Sequence, residues 1–325
     1  MSEPSDTPDP EPAPEQRAED DGAPEPLKWQ RPLILFVVSV VSVLWAQRTI
    51  YDQGYTLRAL LSGWKFAVPL FAILLSHEFG HYIAARLHGV RASLPYFLPM
   101  PFSPFGTWGA IIGMPDRIAT PRARLDIGAA GPLAGLVVAV PVLALGLSWS
   151  EIKPLEPHAL LEGQCLLYLL MKRLVVGPIP VGHDVFLHPT AFAGWAGLFI
   201  TMINLLPSGQ LDGGHIAYAL LGKRADRIAD IVYGLLPLLF LGNLAHNLSL
   251  SRKLSGGSEG DELALANSFF WLLWFGILSG VRYFGGNEHP PTDEGLTLDG
   301  PRRGIAVLCL VLFVLLFMPS PFTVT

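Results

Sequence analysis

The sequence predicts an all-α polytopic membrane protein of about seven transmembrane helices, with a short re-entrant β-hairpin or loop after the second span. Three observations carry this expectation. Of 325 residues, 51% are apolar and only 15% charged, where an ordinary soluble domain has about 25% charged. Uncharged stretches recur at 32–47, 66–85 (with Glu78 its one formal charge), 127–150, 189–211, 231–251, 263–281 and 304–325, and roughly 20 apolar residues cross a bilayer core. Between the second and third stretches, Pro95, Pro99, Pro101 and Pro104 forbid a regular helix.

Along the chain, residues 1–28 come first. They hold nine acids against Arg17 and Lys28, with almost no large apolar side chain, so they bury too little surface to offset chain entropy. They read as a disordered, acidic, Pro-rich tail ahead of a single membrane-embedded body at 29–325. The tail has no basic region followed by an apolar run, so neither a cleaved signal nor a transit peptide is expected. It contributes −7 to a total of −5, leaving +2 for everything else. No basic face remains for nucleic acid. Cys165 and Cys309 sit within apolar runs and read as small hydrophobes that give no disulfide framework.

Among the apolar stretches the first is short. The run 163–171 is too short to cross and reads as interfacial or re-entrant, which leaves an eight-span count open. With the tail in the cytoplasm, the inside segments hold Arg17, Lys28, Arg31, Arg86, Arg91, Arg117, Arg122, Arg124, Lys223, Arg224, Arg227, Arg282, Arg302 and Arg303, fourteen of the 22 Lys and Arg. That bias predicts a cytoplasmic N-terminus in a multi-pass protein of the cell membrane, the second span running from outside to inside.

The second span reads LLSHEFGHYIAARL. His77 and His81 are four apart and share a helix face, so both can offer a ring nitrogen to one ion, while Glu78 can reach a water on that ion and act as general base. Ionisable groups at membrane depth are functional-site candidates by default, because hydrocarbon penalises them unless they are paired or metal-bound. Catalytic zinc takes three protein ligands and keeps one position open. The third ligand must come from elsewhere. Asp126 beside Arg122 and Arg124 reads more simply as an interfacial charge. Asp212, in TMINLLPSGQLDGGH, follows Pro207 and Gly209, which break the helix; such breaks are tolerated only where they are buried in protein or line a cavity. His215, three residues on, is a candidate for supporting a ligand rather than for ligation.

These segments resemble the site-2 protease family of intramembrane zinc metalloproteases. The resemblance rests on His77-Glu78-Phe79-Gly80-His81 with Asn204, Pro207 and Leu211-Asp212-Gly213, and on the intervening Gly106-Thr107-Trp108-Gly109-Ala110 and Ala130-Gly131-Pro132-Leu133-Ala134-Gly135. It implies one zinc per chain held by His77, His81 and Asp212, Glu78 as catalytic glutamate, and Asn204 as a catalytic amide that helps hold substrate or stabilise the oxyanion. Its implied substrates are transmembrane segments of other proteins in the lipid bilayer. The family's compact Asn-Pro-Asp-Gly form is spread here between Asn204 and Gly213, and no stretch resembles an inserted PDZ module.

A transmembrane substrate hides its carbonyls and must unwind before it is cut. Residues 107–114 are strand-prone, so the Pro-rich stretch reads either as a packing loop or as a hairpin whose edge, Gly106 to Ala110, adds a substrate strand on the cytoplasmic side. Gly131 and Gly135 form a G-x-x-x-G face for close packing against the helix of His77; dimerisation through it is the other reading. Two further function classes stay open: an ion or proton transporter, which also uses intramembrane His and acids, and a binding homologue that grips helices without cutting. Counting from Phe79 to Arg86, the metal lies roughly 10 Å from the cytoplasmic edge.

Overall fold

Hydrocarbon offers backbone groups no hydrogen-bond partner, so apolar stretches of this length close their bonds within themselves as helices. In the computed structural model, residues 29–50, 56–114, 120–156, 160–254, 265, 268–285 and 298–324 are described. The order along the chain is α1 (Gln30–Ile50), α2 (Leu57–Ser62), α3 (Trp64–Leu87), β1 (Tyr96–Pro99), β2 (Thr107–Ile111), α4 (Pro121–Ser148), β3 (Glu151–Pro154), β4 (Leu160–Glu162), α5 (Leu166–Val175), β5 (His183–Phe186), α6 (Pro189–Asn204), α7 (Asp212–Leu221), α8 (Arg224–Leu254), α9 (Phe270–Gly285), α10 (Gly300–Leu316) and β6 (Phe322–Val324). The expected tail at 1–28 lies outside the described residues, as does the beginning of the 263–281 stretch.

The chain is mostly helical. Among the described residues, four helices are long and apolar enough to cross a membrane: α1, α3, α4 and α8. The other expected spans are shorter. The stretch 189–211 stops being helical at Asn204, where Pro207 and Gly209 open the backbone, and α6 has 16 residues. The last stretch ends as helix at Leu316 after 17 residues, because Pro319 and Pro321 follow; its remainder becomes β6. The run at 163–171 is the ten-residue α5, which buries Tyr168 and Lys172 and exposes Leu166, Leu169, Leu170 and Leu174.

Strands β1 and β2 pair antiparallel, with Tyr96 opposite Ile111, Phe97 opposite Ala110 and Pro99 opposite Thr107. The extra residue on β2 makes a bulge that falls at Trp108 and Gly109, and Gly109 takes φ +93°, a conformation that favours glycine. The turn is anchored on two helices: Ser42 Oγ donates to the Gly106 carbonyl at 2.6 Å and Gln47 Nε2 to the Pro104 carbonyl at 3.1 Å, while Phe105 packs on Phe192, Trp195 and Phe199. Two further antiparallel pairs, β3 with β5 and β4 with β6, are absent from the sequence expectation. Strands of three or four residues are too short to show a period-2 pattern, and β4 meets a partner near the other end of the chain.

The centre of the bundle is α3, α4 and α6, around the fully buried Phe66, Leu70, Leu143, Trp195 and Leu198. Backbones touch here. A Cβ on Gly146 of α4 would lie 2.1 Å from the Ala191 nitrogen of α6. At one end, Asp126 ties three elements together, accepting Arg302 Nη2 at 2.7 Å and pairing with His88 Nε2 at 2.8 Å.

Gly146→Ala should therefore force α4 and α6 apart and destabilise the protein by about 1–3 kcal/mol, the usual cost of overpacking. Thermal unfolding in detergent checks this, with Gly234→Ala as control, since a Cβ there meets nothing within 4 Å; equal melting temperatures for the two variants would contradict it.

Candidate metal centre

Helix α3 brings His77, Glu78 and His81 to one turn, all three buried. The His81 ring is held from behind. Its Nδ1 lies 2.7 Å from the Ile127 carbonyl of α4, and a carbonyl oxygen only accepts, so Nδ1 carries the proton and Nε2 is left with its lone pair facing forward. Gly131 makes room for this ring: a Cβ there would sit 2.0 Å from His81 Nε2. Gly135, one turn on, lies against His77, and a Cβ on it would be 3.2 Å from the His77 Cβ. The G-x-x-x-G face packs on the helix of the two histidines.

Asp212 arrives from the other side of the bundle. After Asn204 the chain runs through a non-helical segment to Leu211, and Asp212 is the first residue of α7. Its Oδ2 is 3.3 Å from His77 Nε2 and 3.3 Å from His81 Nε2, and the two Nε2 atoms are 3.1 Å apart. Among the described residues these three form the one group of His, Cys, Asp and Glu side chains spaced to hold a metal ion. The triangle suits zinc. Ligand atoms at about 2.0–2.1 Å from a tetrahedral ion stand about 3.3 Å apart, and a neutral His pair with one carboxylate is a donor set that zinc takes. Three lone pairs converging in a buried site are unfavourable unless a cation or shared protons lie between them.

Glu78, next to His77 on α3, is buried beside this triangle. Asn204, the last residue of α6, places Nδ2 3.3 Å from His77 Nε2, so its amide borders the same space. Asp126 does not reach the triangle; its carboxylate is engaged by Arg302 and His88. His215 stands one turn along α7, facing Gly128 of α4, outside the set of three. On β2, Thr107 is buried and its Oγ1 donates to the Leu98 carbonyl at 2.8 Å, whereas Trp108 and Ile111 are exposed. Gly106 sits at the turn, and Ala110 pairs with Phe97. Among the described residues β2 pairs with β1 alone, so its other edge has no strand partner.

Two contributions have no signal in the sequence. The Ile127 carbonyl is backbone, and any residue type supplies it. The buried Lys172, which pairs with Glu162 at 3.0 Å and Asp184 at 2.9 Å, stands at the end of an apolar run where a snorkelling lysine is the ordinary expectation.

The model of peptidase family M50 matches residues 65–241, a stretch containing every residue of the centre. The chain is 34% identical over 182 residues to "Probable zinc metalloprotease EGY1, chloroplastic" of Arabidopsis thaliana, which covers 54% of this chain and 32% of that protein. It is 31% identical over 214 residues to "Probable zinc metalloprotease EGY2, chloroplastic" of Oryza sativa subsp. indica, covering 64% and 39%. With EGY2 of Arabidopsis thaliana it shares 26% over 295 residues, 90% of this chain and 48% of that one. The chain thus spans about a third to a half of the length of these relatives. No solved structure matches it.

The Gly131 geometry generates a test. Gly131→Ala puts a methyl where His81 Nε2 stands, and should weaken zinc binding by roughly tenfold or more, the range seen when the support of a metal ligand is lost. Gly135→Ala, with its nearest atom at 3.2 Å, should cost less. Zinc titration of the purified variants in detergent measures both, and unchanged affinity in Gly131→Ala would contradict the placement of His81.

Proposed function

The chain belongs to peptidase family M50, the site-2 protease family, and from that premise we propose that it is an intramembrane zinc metalloprotease, hydrolysing peptide bonds within or next to transmembrane segments of other membrane proteins. The observation that carries the reading is the convergence of His77, His81 and Asp212 on one point beside the buried Glu78. One zinc per chain would be held by those three side chains. When bound, zinc supplies Lewis-acid chemistry, acidifying a water and polarising a carbonyl oxygen.

The protein's own groups do the rest. Glu78 takes the proton of the attacking water and passes it to the leaving nitrogen. Asn204 directs an amide N–H to the oxygen on which negative charge grows, a contact of a kind worth about 3 kcal/mol. His81, fixed by the Ile127 carbonyl, and Gly131 keep the ligand geometry constant through the reaction. The low exposure of the three α3 side chains keeps bulk water from competing.

The edge of β2 away from β1 is the proposed substrate strand. Backbone pairing with Gly106 to Ala110 would hold an unwound segment extended with little demand on its sequence. The hairpin is read as re-entrant, because its turn is held by Ser42 and Gln47 in the second half of α1 and by aromatic residues of α6; with a cytoplasmic N-terminus the turn then lies towards the outer side rather than on the cytoplasmic side expected from the sequence. The distribution of Lys and Arg supports an N-terminus in the cytoplasm of a cell-membrane protein, and the count along α3 then puts the metal nearer the cytoplasmic side.

Glu78→Gln should retain zinc and fold while losing hydrolysis of single-span membrane proteins by several orders of magnitude, read as fragments on a gel beside metal analysis. Turnover equal to wild type would make the protease reading wrong. In substrates that wild type cuts, new termini mapped by mass spectrometry should fall in the cytoplasmic half of the span; cuts clustered in the other half would contradict the proposed orientation or the site.

A further inference from the structure

At the end of the bundle where α3 begins and α4 ends, a cavity of about 890 Å3 lies between the turn of the β1–β2 hairpin, the last residues of α1 and the pairs β3–β5 and β4–β6. Its walls are aromatic, from Trp45, Phe186, Phe192 and Phe322, and its floor includes residues 101–104 of the hairpin turn. Phe102 stands at this turn with 93% of its surface exposed. Three carboxylates, Glu156, Glu162 and Asp184, line the cavity against a single Lys153. Lys172, buried behind the wall, pairs with Glu162 and Asp184 together, and Lys153 is engaged with Glu151 at 3.0 Å and with the Phe186 ring at 4.2 Å. The lining is apolar with an acidic excess.

We infer that this cavity is a specificity pocket for the flank of the substrate segment, taking an extended peptide with an aromatic or aliphatic side chain beside a basic one. The inference rests on the proposed protease function and adds to it a second point of contact. Continuity of the surface places the flank here, because β2 begins at Thr107, directly after the turn that floors the cavity. A strand paired on the edge of β2 away from β1, in either direction, has one end at that turn. Length agrees. Phe192 and Asn204 are both on α6, twelve residues apart, about 18 Å at 1.5 Å per residue. An extended chain covers that distance in five or six residues at about 3.3 Å each. The pocket therefore reads a position five or six residues from the cut bond. The apolar wall takes a large side chain, and the carboxylates favour a positive charge on its neighbour.

A photo-crosslinking phenylalanine derivative at position 186, in the Glu78→Gln chain reconstituted in vesicles with single-span reporters that wild type cuts, tests this. A second crosslinker at Trp108 reports the strand itself. The expected result is crosslinking from both positions, with the residue captured at position 186 lying five or six from the mapped cut. Alongside, Glu156→Lys should raise KM roughly threefold for a reporter carrying Lys at that flank, the scale of one partly exposed ion pair, and lower it for the same reporter carrying Glu, with kcat unchanged in both. Crosslinking from Trp108 alone, capture of phospholipid at position 186, or a KM indifferent to flank charge would overturn the pocket and leave the protease reading standing. Absence of cutting by wild type on every reporter would overturn both.

Discussion

The hydrogen bond from His81 Nδ1 to the Ile127 carbonyl, 2.7 Å long, is the contact on which the centre depends. It decides which ring nitrogen bears the proton and aims the other at the metal position. For it to form, α4 must approach α3 closely enough that a backbone carbonyl of one helix reaches a side-chain ring of the other, and this is what Gly131 allows. A larger residue at that position would occupy the ring's own space. The close approach of the two longest buried helices and the chemistry of the metal ligands are thus one feature seen at two scales.

Asp212 completes the arrangement only because the bundle is interrupted. Had α6 continued past Asn204, the chain would have carried Asp212 roughly 12 Å farther along the same axis. Instead Pro207 and Gly209 open the backbone, and Asp212 begins a new helix with its carboxylate turned to the histidines. An aspartate at the first position of a helix is favoured by the N-terminal partial charge, which helps keep it ionised. Asn204 comes to the centre by the same break, from the opposite side of it. Open backbone is tolerated here because the segment is buried in protein, with Leu205, Leu206 and Ser208 all buried.

Much of the centre was legible in the sequence because its residues are chemically improbable where they stand: two histidines and a glutamate in a largely apolar helix, and an aspartate behind Pro207 and Gly209. The pairing of Gly131 and Gly135 with α3 was legible for a similar reason, as small residues at helical spacing leave a groove. What was not legible follows from what sequence patterns omit. Backbone groups such as the Ile127 carbonyl carry no residue signature. The short pairs β3–β5 and β4–β6 show no alternation and depend on distant partners, Leu160 with Val324 among them. Helix lengths were overestimated where the chain leaves the helix shortly before a Pro, after Asn204 and after Leu316, whereas Pro69, Pro132, Pro141 and Pro237 lie inside helices.

The central claim is that His77, His81 and Asp212 together hold one zinc. X-ray absorption at the zinc edge of the purified full chain measures it directly. The account predicts one zinc per chain with two imidazole nitrogens and only oxygen besides, at about 2.0–2.2 Å. Both cysteines are buried and free, so a sulfur shell at about 2.3 Å, a single imidazole, or no bound zinc would contradict it.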